Sequence, residues 1–223
     1  MVRNQIEERS TTSVDFDGVL FPRIPAQLET LRPWSYNSRL KLHVPITAEN
    51  RIVQAHILSP AEESELRRHA GRDVKPEAGE MVRQIKAGLI VGNTGRPNHT
   101  EMVRLTEKKL REGRIRDRFA DIAFRPEGVS SDESKYWKLV ELRNAGYTDI
   151  THFDDNARTV KRLAKELPDM RFVIVQDLTS GLLFSRREME KYPNVARIAL
   201  CKNGRIDVTH RSAGFGDLPV PHM

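Results

Sequence analysis

The chain has a single cysteine, Cys201, in 223 residues. An internal disulfide is therefore excluded, and the residue usage fits a reducing compartment. No apolar run approaches the ~20 residues that cross a bilayer, so no membrane span is expected. The opening stretch, Met1 to Ser13, lacks an apolar h-region and is read as carrying no secretory signal. Cytoplasmic placement is the expectation. The chain has no Gly-x-x-x-x-Gly-Lys-Ser/Thr loop, which excludes a P-loop kinase. It also has no internal repeat and no low-complexity segment, which leaves an ordinary globular domain. What is present fits that: 38% hydrophobic and 30% charged residues, with a formal charge of +6 that favours anionic partners without identifying them.

The stretch Val14-Asp15-Phe16-Asp17-Gly18-Val19-Leu20-Phe21 organises the rest. Thr12, Val14 and Phe16 alternate with Ser13, Asp15 and Asp17, the pattern of a strand that Gly18 then breaks. Two carboxylates two positions apart project to one side of a strand. Their repulsion calls for a cation, and a hard ion such as Mg²⁺ suits oxygen ligands.

Residues 1–11 are polar and expected to be loose. Pro22, Pro25 and Pro33 mark 22–38 as irregular, with Trp34 available to pack. Residues 39–58 read as a two-strand flap around the turn-like Thr47-Ala48-Glu49-Asn50, followed by a short helix over 60–70. From Pro76 the pattern alternates: helix 77–87, strand 88–93, helix 99–112, strand 121–125, helix 133–145, strand 149–153, helix 157–167 and strand 171–176. Ser130 to Glu133 resembles a capping box. The alternation predicts an α/β fold, a Rossmann-like three-layer sandwich around a parallel sheet, whose ligands bind at the carboxyl ends of the strands. Val195–Cys201 and Ile206–His210, joined by an Asn203-Gly204 turn, predict a C-terminal hairpin, and 213–223 an extended tail. The expected division is the α/β domain over 12–185 with a flap or minimal cap over 39–75, then the hairpin and tail over 186–223.

Polar residues fall where apolar strands end: Asp15 and Asp17, then Asn93-Thr94-Gly95-Arg96-Pro97, then Asp154-Asp155, with Lys135 opening the helix before the last pair. A parallel sheet gathers these at one edge. They offer carboxylates for a metal, a hydroxyl and a cation for phosphate oxygens, and a nucleophile, which are the parts of phosphoryl transfer through an aspartyl-phosphate.

On these residues the chain resembles the haloacid dehalogenase (HAD) superfamily of phosphohydrolases over roughly residues 12–178. Asp15-Phe16-Asp17-Gly18 matches its Asp-x-Asp-Gly motif. Leu89 to Thr94 matches its apolar strand ending in Thr or Ser, Lys135 its motif lysine, and Asp154-Asp155 its acidic pair. The resemblance implies a Mg²⁺-dependent phosphatase. Asp15 would be nucleophile and metal ligand. Asp17 would be general acid and base, with its carbonyl on the metal. Thr94, Gly95, Arg96 and Lys135 would hold the phosphoryl group, Lys135 also neutralising the aspartyl-phosphate. Asp154 would bind Mg²⁺, with Asp155 beside it or one layer out. Lys138, one helical turn on, competes with Lys135 for the motif position. Asn93 is left open, His152 and His99 are read as structural, and Trp34 and Trp137 as core residues.

Little chain is left for a cap, so an open site is expected. The spacing of Lys135 from Asp154 resembles that of polynucleotide phosphatases, and Asp15 to Trp34 resembles the Swiss army knife RNA repair-like phosphatase domain. Both imply nucleic-acid ends as a substrate class. The basic stretches Lys108 to Arg111, Arg114 to Arg118, and Arg186-Arg187 agree with that, or are solvated helix faces interleaved with acids. The alternatives are a phosphatase of a small metabolite, such as a nucleotide or sugar phosphate, and a binding module on the same fold.

Overall fold

A computed structural model of the chain describes residues 10–22, 34–37, 42–45, 64, 68, 71–98, 100–176, 185–201, 206–212 and 214–219. Its strands are β1 (Ser10–Val14), β2 (Trp34–Asn37), β3 (Leu42–Pro45), β4 (Leu89–Pro97), β5 (Asp121–Arg125), β6 (Asp149–Asp154), β7 (Arg171–Val175), β8 (Val195–Leu200) and β9 (Ile206–Arg211). The helices are α1 (Pro76–Gln84), α2 (Thr100–Glu112), α3 (Ser131–Asn144), α4 (Ala157–Glu166) and the short α5 (Arg186–Met189).

Seven strands form one sheet in the order β5-β4-β1-β6-β7-β8-β9. Every pairing is parallel except β8 with β9. The expected three-layer α/β architecture is therefore present. β1 is hydrogen-bonded on both sides, with Thr12 opposite Ile90 of β4 and opposite Thr151 of β6. After β1 the chain winds outward through β4 and β5. It then returns to β6 and winds the other way. The reversal opens a crevice between the carboxyl ends of β1 and β6, where doubly wound sheets place their ligands.

The two faces carry separate apolar cores. Val14, Phe16, Leu20 and Phe21 pack with Met81 and Val82 of α1 and Leu110 of α2 on one face. Leu139 and Leu142 of α3, Val160 and Leu163 of α4, and Met189 of α5 cover Phe172 and Ile174 on the other. Strands buried on both faces read as continuous apolar runs, which is why β4 and β7 stand out in the sequence.

Several expectations need correction. The hairpin of the insertion pairs Trp34–Asn37 with Leu42–Pro45, so its first strand lies in the segment expected to be irregular. Strand 52–57 of the expected flap and most of helix 60–70 lie outside the described residues. β1 begins at Ser10, inside the expected loose terminus. The expected C-terminal hairpin is present, with β9 antiparallel to β8 and β8 paired to β7, but the tail after it is anchored: Phe215 and Leu218 are buried in the first core. Trp137 is not a core residue; it stands 49% exposed. The buried positions of α3 include Lys135, Leu139 and Leu142, at i, i+4 and i+7, and position 137 falls on the opposite side of that stripe.

Candidate active site

β1 ends at Val14, and the chain turns immediately. The Phe16 carbonyl accepts the Leu20 and Phe21 amides, and the Phe21 carbonyl accepts the Gly18 amide at 2.9 Å. Gly18 adopts φ +85°, and a Cβ there would lie 2.1 Å from Cγ of Asp155. Only glycine meets both demands. Because of this turn, Asp15 and Asp17 do not share one strand face as the spacing predicts; they meet different cations.

Asp15 faces Lys135. The Lys135 ammonium lies 2.8 Å from Oδ2 of Asp15 and 2.6 Å from Oδ2 of Asp154. Lys138 instead reaches Asp121 and Glu141, both at 2.8 Å, on the outside of α3. Lys135 is thus the lysine at the sheet edge. Burial by itself would lower its pKa, but Asp15 and Asp154 outweigh that and hold it above the ordinary lysine value. Burial raises the Asp15 carboxyl above its ordinary value, with Lys135 opposing and Asp154 reinforcing. Burial also works to raise Asp154, but Lys135 and the hydrogen bond from His152 overcome it and hold that carboxyl below the usual range.

His152 was expected to be structural, and it is fully buried. Its Nε2 lies 3.2 Å from Asp154 Oδ2 and its Nδ1 3.0 Å from the Ser13 hydroxyl. A carboxylate can only accept, so Nε2 donates to Asp154. The Asn156 amide donates to Asp154 Oδ1 at 2.8 Å, and the Asn156 side chain caps α4. Asp154 is therefore fixed from three directions. Apolar strand periodicity does not reveal this role of His152; its place two residues before an acidic strand end, facing β1, is the only signal in the sequence.

The second carboxylate of the motif belongs to a different network. Nε and Nη2 of Arg96 donate to Asp17 at 3.2 and 2.8 Å, and Nη1 donates to the Thr106 hydroxyl at 2.8 Å. The guanidinium also lies 4.2 Å from the ring centroid of Phe21. Arg96, expected to hold a phosphoryl group, is seated on Asp17 instead. The cause lies in β4, which runs on to Pro97 with its pairing shifted between Asn93 and Pro97. Thr94 falls in this irregular stretch; its Oγ1 accepts the Arg96 amide at 3.1 Å, and it is fully buried. At Gly95 a Cβ would come within 2.4 Å of the Ser131 hydroxyl, which accounts for the glycine. Asn93, also buried, donates to the Lys135 carbonyl at 3.2 Å and ties β4 to the start of α3.

Ligand atoms of Asp15, Asp154 and Asp155 all lie within 4.8 Å of one another, and all three residues are buried. The set is all oxygen, the chemistry that suits a hard divalent cation. A cation held between these carboxylates would relieve their mutual repulsion. The Asp17 side chain is not in this group. Comparison with protein-family models, with curated proteins and with solved structures returned no match for this chain.

Proposed function

We propose that this protein is a divalent-metal-dependent phosphatase that hydrolyses a phosphomonoester through an aspartyl-phosphate on Asp15, in the manner of the HAD superfamily that its motifs resemble. The observation that carries this reading is the convergence of Asp15, Asp154 and Asp155 within 4.8 Å, beside a lysine that bridges the first two.

Asp15, Asp154 and Asp155 would hold the metal, Mg²⁺ by the resemblance; bound there, it would offset negative charge on the phosphoryl oxygens. An Asp15 oxygen forms the new bond to phosphorus as the ester oxygen leaves, and the departing alkoxide takes its proton from Asp17, which recovers one from water in the next step. Lys135 offsets the charge on the acylphosphate. Water then attacks phosphorus, Asp17 accepts its proton, and inorganic phosphate departs with Asp15 regenerated. Asp17 held by Arg96 is an acceptor, which suits the second half of this cycle; donating to the leaving group requires Arg96 to loosen its hold. The formal charge of +6 suits an anionic substrate of either class, a nucleic-acid end or a small phosphorylated metabolite, and does not choose between them.

The test is hydrolysis of para-nitrophenyl phosphate and of 3′- and 5′-phosphorylated oligonucleotides. Activity should vanish in EDTA, return with Mg²⁺, and fall at least ~10³-fold in Asp15→Asn with the fold intact by circular dichroism. Retained turnover in a folded Asp15→Asn protein would refute the assignment.

A further inference from the structure

Arg197 lies on β8 opposite His210 of β9. The pairing register shifts between Arg197 and Ile198, and this extra residue in β9 brings His210 opposite the arginine. Nε and Nη2 of Arg197, and Nε2 of His210, are shielded from solvent, and none has a hydrogen-bond partner. Among the described residues no carboxylate forms an ion pair with Arg197. These two nitrogens form the donor edge with which a guanidinium grips an oxyanion through two parallel bonds. Arg96 uses the same edge to hold Asp17.

A guanidinium cannot shed its proton to escape burial. Donors buried without an acceptor are costly, and more so when charged. The nearby charges deepen the problem. Burial lowers the His210 pKa, Arg186 and Arg197 lower it further, and only Glu190 opposes them. Glu190 itself leans toward Arg186, at 3.8 Å, and is 60% exposed. Arg197 and His210 are partly exposed as whole residues while the unpaired nitrogens themselves are covered, so an anion binds them by displacing that cover. The sheet register also sets this spot apart from the acidic cluster. Asp154, Ile174, Arg197 and His210 lie in one row across β6, β7, β8 and β9, so at ~4.8 Å per strand Arg197 is about 10 Å from Asp154.

We propose that Arg197 and His210 form a binding site for a small oxyanion of the phosphate or carboxylate class, separate from the candidate active site and independent of whether that site hydrolyses phosphate. The Nε and Nη2 edge of Arg197 takes two oxygens, and His210 Nε2 takes a third contact.

The site is tested by nuclear magnetic resonance on the full chain, following the His210 ring and the Arg197 Nε–H, each assigned by substitution. Sodium phosphate is titrated at constant pH and ionic strength, with sodium chloride as control and sodium acetate as a second arm. Both resonances should shift saturably with phosphate and not with chloride. Saturation by phosphate alone assigns a phosphate site, and saturation by both anions a general oxyanion site. Asp15→Asn should leave the response in place. Arg197→Met should abolish it and raise Tm by a few degrees in phosphate-free buffer, because a buried cation without a counter-charge has been removed; an arginine kept for packing would lower Tm. Should Arg197→Met not fold, Arg197→Lys retains the charge without the paired donor edge and should weaken phosphate roughly tenfold or more. A drift matching chloride, or a saturable shift that survives these substitutions, overturns the proposal.

Discussion

Charges of both signs lie at the carboxyl ends of β1 and β6 and along α2, and the two regions use them differently. At the sheet edge Asp15, Asp17, Arg96, Lys135 and Asp154 are each no more than 3% exposed. On α2 the pairs Glu101–Arg104, Lys108–Glu112 and Glu107–Arg111 are one helical turn apart and largely in solvent. Lys109 divides itself between Asp73 and Glu112 at 2.9 and 2.7 Å. Buried pairs cannot lose one member cheaply, since the other is left desolvated. Exposed pairs contribute about 0–1 kcal/mol. A basic run in a sequence is thus a poor guide to free positive charge: much of the Lys108 to Arg111 stretch is neutralised by its own helix.

The sharpest way to break this contrast is Arg96→Met. It removes three N–H contacts from the buried Asp17 and the bond to Thr106. Denaturant unfolding should show a loss of about 3–5 kcal/mol; a loss below ~1 kcal/mol would place this pair with the surface ones.

Asp154→Asn in EDTA should come next, at about 2–3 kcal/mol near pH 7, because Lys135 keeps Asp15. The sign with pH follows from the shift. The folded carboxyl lies below its ordinary 3.8, so it is less protonated than in the unfolded chain. Its stabilisation is full above that value and fades as the pH drops below it. Wild type and variant should therefore converge at acid pH, as measured by urea unfolding across that range. Asp15 works in the opposite sense: burial above all holds its carboxyl above the ordinary value, so its ionisation as the pH rises costs the fold stability.

Gly18→Ala joins a strained φ of +85° to a clash with Asp155. It should cost about 1–3 kcal/mol and weaken metal binding, read by calorimetry with Mg²⁺. Unchanged metal affinity would separate the turn from the acidic cluster.

The smallest effect is expected for Lys108→Glu with Lys109→Glu and Arg111→Glu. Tm should move by only a few degrees, and para-nitrophenyl phosphate turnover should hold. If an oligonucleotide end is the substrate, its KM should rise and become less sensitive to salt. An unchanged KM would remove α2 from the binding surface.

The framework of the sheet and the acidic pair were legible because strands buried on both faces are apolar runs that end where polar residues begin. Lys135 was legible from spacing and was separated from Lys138 only by the side of α3 on which each falls. The partners of Asp17 and Arg96 were not legible. Their meeting depends on a pairing shift inside β4, and periodicity carries no information about such shifts. The orienting bond from His152 to Asp154 was equally hidden, since a buried histidine looks the same whichever neighbour it bonds. The β2–β3 hairpin was misjudged because Pro22, Pro25 and Pro33 were taken to keep the whole of 22–38 irregular, although Trp34–Asn37 follows the last of them. Trp137 was misplaced because size was taken for burial, when helix phase decides it.

The first strand of the sheet in chain order, β1, lies in its interior with a partner on each side. Ser13 of β1 meets His152 across 139 residues of chain, and Thr11 meets Leu89 across 78. During synthesis, β1 emerges well before either neighbour exists. It must wait with both edges open until β4 and then β6 leave the ribosome, and open edges are templates for wrong pairing. Buried Thr11, Thr12 and Ser13 keep that waiting strand more polar than the apolar runs of β4 and β7. A nascent chain halted before residue 149 would hold Asp15 and Asp17 without the partner strand that carries Asp154, so the acidic cluster cannot assemble until β6 has been made.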